Sequence, residues 1–297
     1  MVKYLDLNGV NVLKENIENK IPQKISELDN DRNFITEDFV TEKITDMENI
    51  LVDENIPQED SVVLWIDTSE SSDADLLMSK FNKLYNKKIL YNGDSICSGV
   101  GYLGGYAKII AQNTGGRYIN YSVGEATLAT GTTLQDGTDR YHICEHIQDM
   151  DINADLICFE GGINDCWNQV PLGDIDTTSP ERFTSELDTN TFAGALESIF
   201  RQSIEKWVGV PICFVIIHKA KNIEIQGFNE YHDMIIKICN KYSIPYCDLY
   251  LNSGFNCGIS TLSEKYTGNA DAVHPNEDGY KIYYVPQIQS LFEKIIQ

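Results

Sequence analysis

Four short stretches of the 297-residue chain carry side chains able to do chemistry together. In order they are Gly93-Asp94-Ser95, Gly124 at the end of Asn-Tyr-Ser-Val-Gly, Gly162-Ile-Asn164-Asp165, and Asp271-Ala-Val-His274-Pro275-Asn276. A serine hydroxyl is a weak nucleophile at neutral pH and needs a base beside it. His274 can be that base, since an imidazole titrates near 6.5. A carboxylate three residues earlier, Asp271, can accept from Nδ1–H and leave Nε2 free to take the Ser95 proton. Acyl transfer also needs donors aimed at an oxyanion. Glycine permits close backbone approach and a carboxamide donates without adding charge, so both residue types among these stretches suit such a task. Each stretch also has a plainer reading. Gly-Asp-Ser can end a strand, Gly124 can serve a turn, Asn164 can cap a helix, and a histidine in a late loop is usually solvated.

The elements around these stretches bring them together. Five apolar runs rich in β-branched or aromatic residues read as strands: Ile89 to Tyr91, Tyr118 to Val123, Leu156 to Glu160, Ile212 to Ile217 and Pro245 to Leu249. Helical patterns lie between and after them, over Gly105 to Gln112, Thr191 to Val208, Gly227 to Tyr242 and Glu277 to Ile296. Strands alternating with helices predict a parallel sheet covered on both faces. Right-handed crossovers then put every strand's carboxyl end on one edge, where open α/β sheets bind ligands. Ser95, Gly124 and Asn164 each follow a strand, so three separate stretches meet at that edge, and His274 must reach it from a late loop.

The four blocks, in this order, resemble the SGNH (GDSL-type) hydrolase family over about residues 86 to 297. The resemblance implies a flavodoxin-like three-layer α/β/α sandwich with a five-stranded parallel sheet. It implies a triad of Ser95, His274 and Asp271, with Ser95, Gly124 and Asn164 forming the oxyanion hole. Asp94 and Asp165 are expected to support the loops from behind. The chain departs from the family where Glu125-Ala-Thr follows Gly124 with no second glycine at short spacing. Trp167 and Tyr102 are candidates to stack on a sugar, and His218, at the end of a strand, to line the pocket. The polar, turn-rich segment from Cys166 to Asn190 resembles a loop of bacterial acetylesterase-like members and is expected to wall the site. The expected function is hydrolysis of small acyl esters, above all O-acetyl groups on a carbohydrate. Two alternatives stand beside it: a lysophospholipase or thioesterase acting on longer chains, and a phage-tail-type carbohydrate-binding or structural module that has kept the fold.

Composition narrows the partners. With 23 basic and 45 acidic residues the net charge is −22, which argues against nucleic acid and anionic membranes. No 18-residue apolar run exists, and the N-terminus lacks the apolar core of a secretory signal, so a cytoplasmically made protein is expected. Residues 1–85 hold 8 basic and 19 acidic residues and read as an acidic, partly ordered arm preceding the hydrolase domain of residues 86–297. Within the arm, Ile17 to Leu28, Phe39 to Leu51 and Asp73 to Tyr85 read as short helices, and Ser61 to Asp67 as a strand. Ile25 to Thr36 resembles a phrase of phage tail-fibre proteins, which implies attachment to a particle or oligomerisation. The eight cysteines read as free thiols, since Cys158, Cys213 and Cys247 lie inside strand-like runs. His142, Cys144 and His146 suggest a metal by spacing, but zinc needs three or four ligands. Neither metal nor cofactor is expected, and Cys97 has no part in the family's blocks.

Overall fold

The computed structural model describes residues 50–52, 64–66, 82–177 and 186–296. The chain divides into two compact units, residues 1–81 and 82–297. In the first, β1 (Ile50–Val52) pairs in parallel with β2 (Leu64–Ile66). The expected strand over Ser61 to Asp67 contains β2. Of the helix expected over Phe39 to Leu51, residues 39–49 lie outside the described residues, while Ile50 and Leu51 belong to β1, where Ile-Leu-Val finds a strand partner. Ile17 to Leu28 and Ile25 to Thr36 lie outside the described residues, as do residues 73–81. The end of the expected Asp73 to Tyr85 helix is a turn, because Asn82 accepts from both Leu84 N, through its side chain, and Tyr85 N, through its carbonyl.

The second unit is built on β3 (Lys88–Asn92), β4 (Arg117–Asn120), β5 (Leu156–Glu160), β6 (Ile212–Ile216) and β7 (Tyr246–Asp248). These form one sheet in the order β4-β3-β5-β6-β7, with every neighbouring pair parallel. That is the flavodoxin-like order, with its switch point between β3 and β5. All five residues of β5 and of β6 are buried, as central strands covered on both faces require. The edge strand β4 stops at Asn120, short of the expected Val123. Asn120 turns the chain by accepting from Ser122 N while donating to Cys97 O.

The helices are α1 (Ser95–Ser98), α2 (Gly105–Thr114), α3 (Ile163–Trp167), α4 (Phe192–Lys206), α5 (Phe228–Lys241), α6 (Leu249–Asn252), α7 (Ser260–Tyr266), α8 (Glu277–Gly279) and α9 (Val285–Ile295). α2 packs with α9, and α4 with α5. The last segment is helical over the expected range but holds a π turn at Tyr280–Tyr284. Pro286, in the first turn of α9, lacks the N–H that a regular helix would direct at the carbonyl four residues back. Tyr280 and Tyr284 are wholly buried beside Tyr91 and Tyr106. Through this cluster the C-terminal segment reaches the nucleophile turn: Tyr280 donates to Ile96 O at 2.7 Å, and Tyr106 to Cys97 Sγ at 3.0 Å.

Candidate active site

Ser95 sits where β3 turns into α1. Gly93 makes the turn possible, because a Cβ there would lie 2.8 Å from both Cys97 Cβ and Glu160 Oε2. Asp94 caps α1 by accepting from Ile96 N at 2.8 Å, and Gly99 ends it in the left-handed conformation after one turn. Ser95 is thus the first helical residue, a position whose N–H has no carbonyl partner in its own helix. It is 9 % exposed.

His274 reaches Ser95 from the far end of the chain. Its Nε2 lies 2.8 Å from Ser95 Oγ, and its Nδ1 lies 2.7 Å from Asp271 Oδ2. The other Asp271 oxygen accepts from Val273 N at 2.8 Å and His274 N at 2.9 Å. Partial burial raises the Asp271 pKa, but these two amides and the imidazole outweigh it and hold the carboxyl below its usual range. An ionised Asp271 assigns the Nδ1–H tautomer, which leaves Nε2 to accept from the serine. Ala270 and Ala272, on either side of Asp271, both have positive φ, a strain the surroundings must hold. Gly268 N bonds to His274 O at 2.7 Å. Gly101 lets the α1–α2 loop pass so close that a Cβ there would lie 2.2 Å from Pro275 O.

The loop after β4 is tied to the same edge. Val123 N donates to Gly93 O at 3.1 Å, and Asn164 Nδ2 donates to Ala126 O at 2.9 Å. Asn164 therefore keeps one amide hydrogen with no acceptor among the described residues, at 5 % exposure. Gly124 is exposed, its φ is not positive, and a Cβ on it would meet nothing within 4 Å. Its glycine identity is thus not required by the protein's own packing, contrary to the close approach expected of it. The conformational strain falls on Glu125, at φ +63°. Arg140 secures that residue by donating to Glu125 O and Oε2, both at 3.0 Å, while its Nε bonds Thr133 O. Behind Asn164, the Asp165 carboxylate accepts from Leu128 N and Ala129 N, each at 3.0 Å. Burial pushes its carboxyl up to about 7 against those two donors.

The remaining expected residues divide. His218 is wholly buried, stacked on Phe255 at 4.4 Å and bonded through Nδ1 to Tyr284 Oη at 2.6 Å. It lies beneath the site and does not line an open pocket. Burial lowers its pKa to about 3, so it is neutral. Trp167, at the end of α3, is partly exposed; Tyr102, in the loop against His274, carries Lys108 Nζ 4.7 Å from its ring centre. Cys97 is buried, which pushes its thiol far above its ordinary value, and all eight cysteines are free. His142 is taken up by Glu145 and Thr132 O, and His146 by Asp149. Among the described residues no group of three or more His, Cys, Asp or Glu could hold a metal, and no helix is long and apolar enough to cross a membrane. Two residues passed over in the sequence matter here. Glu160, a carboxyl closing an otherwise apolar strand, touches the nucleophile turn, and Arg140 clamps the loop that carries Gly124. The first was visible as a charge inside a buried run; the second had no signal.

Chemically, the line from Asp271 through His274 to Ser95 can remove a proton from the serine hydroxyl as it attacks a carbonyl. The profile of the GDSL-like Lipase/Acylhydrolase family matches residues 92–282. A solved structure of a Lactobacillus plantarum protein is 22 % identical, with a TM-score of 0.60 over 72 % of this chain and 99 % of that one. A Bacteroides ovatus protein assigned as a GDSL-like lipase is 21 % identical, with a TM-score of 0.52 over 70 % of this chain and 98 % of its own. A Chitinophaga pinensis structure is 16 % identical, with a TM-score of 0.53 over 70 % and 98 % of the two chains. At these identities the structures share the fold. No curated protein sequence matches the chain. The profile match runs from the end of β3 into the π turn, well over half of the sequence, and the chain belongs to the GDSL-like lipase/acylhydrolase family of ester hydrolases.

Proposed function

We propose that Ser95 is the nucleophile of a small-acyl esterase whose substrate is an O-acetyl group on a carbohydrate. The observation that carries the mechanism is the hydrogen-bonded line Asp271–His274–Ser95, with steps of 2.7 and 2.8 Å. In this reading Ser95 Oγ attacks the ester carbonyl and gives its proton to His274 Nε2. Asp271 stabilises the imidazolium without taking its proton. The carbonyl oxygen gains negative charge, met by the Ser95 and Gly124 amides and the free Asn164 amide hydrogen. His274 then protonates the leaving alcohol, the acyl group stays on Ser95, and a water activated by His274 releases the acid.

The carbohydrate part of this reading rests on the polar, turn-rich segment from Cys166 to Asn190 that follows Asn164, of which residues 166–177 and 186–190 are described. One observation favours longer acyl chains as a second reading: Val100 and Leu103, in the loop after α1, are both exposed apolar side chains. Acetate release from acetylated polysaccharides, measured beside a p-nitrophenyl ester series from two to twelve carbons, separates the two. Release from a glycan, with ester activity peaking at acetate, supports the proposal. A peak at eight or more carbons, with no glycan turnover, replaces it with the second.

A further inference from the structure

We propose that Glu160 and Asp94 share a single proton, and that this pair positions the one-turn helix presenting Ser95. The inference rests on the reading of Ser95 as nucleophile. Glu160 is the last residue of β5, the strand beside β3 at the switch point, and is wholly buried. Its Oε2 accepts from Cys97 N at 3.1 Å and faces Asp94 N at 3.4 Å. The same oxygen would lie 2.8 Å from a Cβ on Gly93. One carboxyl oxygen thus meets the backbone on both sides of Ser95. A four-residue helix is too short to hold itself, so its shape depends on such outside partners.

The other oxygens define the proton. Glu160 Oε1 and Asp94 Oδ2 are both buried and neither has a hydrogen-bond partner among the described residues, while the other Glu160 oxygen lies 3.4 Å from the Asp94 backbone nitrogen and the other Asp94 oxygen is held by Ile96 N at 2.8 Å. Two buried carboxyls on one turn, with no Lys or Arg among the groups that act on either, disfavour each other's ionisation. A proton on one supplies the missing donor to the other. Every group packed around the pair is consistent with this. Cys97 on α1, Cys158 on β5, Tyr106 on α2, and Tyr280 and Tyr284 on the π turn are all buried, with pKa values pushed well upward, and so neutral. Asp165 on α3 adds a further carboxyl, and His274 is the one group facing Asp94 that can become cationic. Burial raises Asp94 to about 6 and Glu160 well above its ordinary value, so the proton rests on Glu160. The pair keeps one negative charge, on the side of Asp94, facing the imidazolium that forms when Ser95 attacks.

Glu160→Gln in the full chain tests this, because its amide can accept from both backbone N–H groups and donate to Asp94 while leaving the pair's charge unchanged. Its kcat/KM on p-nitrophenyl acetate is expected within about threefold of wild type, with the acid limb of the pH profile unmoved. Glu160→Ala, which removes the acceptor, is expected to lose about thirtyfold or more in kcat. A downward shift of the acid limb in Glu160→Gln would mean that a charge had been removed beside His274, and would overturn the shared proton. A folded Glu160→Ala with wild-type kcat would overturn the positioning role. An activity-independent readout is the protonated-carboxyl infrared band of 13C-glutamate-labelled protein at pH 7. It is expected in wild type and absent in Glu160→Gln, and its absence from wild type would refute the proton. Retained turnover in Ser95→Ala would instead refute the nucleophile, while the infrared band still judges the pair.

Discussion

Asn164→Ala separates a catalytic donor from a structural one within a single side chain. One Asn164 amide hydrogen is committed to Ala126 O at 2.9 Å, and the other has no acceptor among the described residues. Removing the first leaves a buried carbonyl without its donor, a stability cost of about 1–3 kcal/mol. Removing the second deletes one oxyanion donor, which costs about 10²–10³ in kcat, or roughly 3–4 kcal/mol of barrier. Because the oxyanion exists only in the transition state, kcat and kcat/KM should fall together with KM little changed. Steady-state hydrolysis of p-nitrophenyl acetate, paired with urea unfolding of the same preparation, reads both quantities. A folded variant that keeps kcat within about fivefold of wild type, a barrier change of roughly 1 kcal/mol, would show that Asn164 is a loop anchor and not an oxyanion donor.

Other perturbations follow from the same geometry. Arg140→Lys cannot reproduce a guanidinium bonded to Thr133 O and Glu125 at once; kcat/KM should drop about tenfold with unfolding midpoints nearly unchanged, and an unaltered rate would show that the Glu125 loop does not need the clamp. Gly124→Ala meets no protein atom within 4 Å and keeps the amide N–H, so stability should stay within about 0.5 kcal/mol, while kcat/KM should fall if the ester occupies the space above this residue as proposed; full activity would show that the ester does not occupy that space. For Asp165 the folded pKa is raised to about 7, above its unfolded value near 3.9. Its favourable contribution is therefore fully present below the unfolded value and is lost as pH rises through 7. The stability of wild type relative to Asp165→Asn should accordingly shrink between pH 4 and 7. Growth over that window would mean that the Leu128 and Ala129 amides outweigh burial.

The sheet could be read from the sequence because its central strands are buried on both faces and appear as unbroken apolar runs; β5 begins and ends where Leu156 to Glu160 does. The place of Ser95 was legible because an open α/β sheet puts strand-end residues on one edge, whereas His274 and Asp271, in a late loop, were legible only from their three-residue spacing and the family resemblance. The rest depended on contacts between distant parts of the chain. His218 follows β6 by two residues on the correct edge, yet Phe255 and Tyr284 cover it, and no local pattern tells a covered strand end from an open one. The one-turn helices α1 and α3 are shorter than the window in which a 3.6-residue period shows. At Glu125 a left-handed backbone appears where glycine would be expected, because Arg140, fifteen residues later, holds it there. The π turn at Tyr280–Tyr284 follows from the proline at the start of α9 and from burying both tyrosines.

The most direct test of Ser95 as nucleophile is turnover of p-nitrophenyl acetate by purified Ser95→Ala beside wild type, with circular dichroism to show that both are folded. The line from Asp271 through His274 ends on the Ser95 hydroxyl, so a folded Ser95→Ala should lose about a thousandfold or more in kcat, with any residual rate coming from the remaining donors and base. Turnover close to wild type in that variant would contradict the assignment and require a different nucleophile.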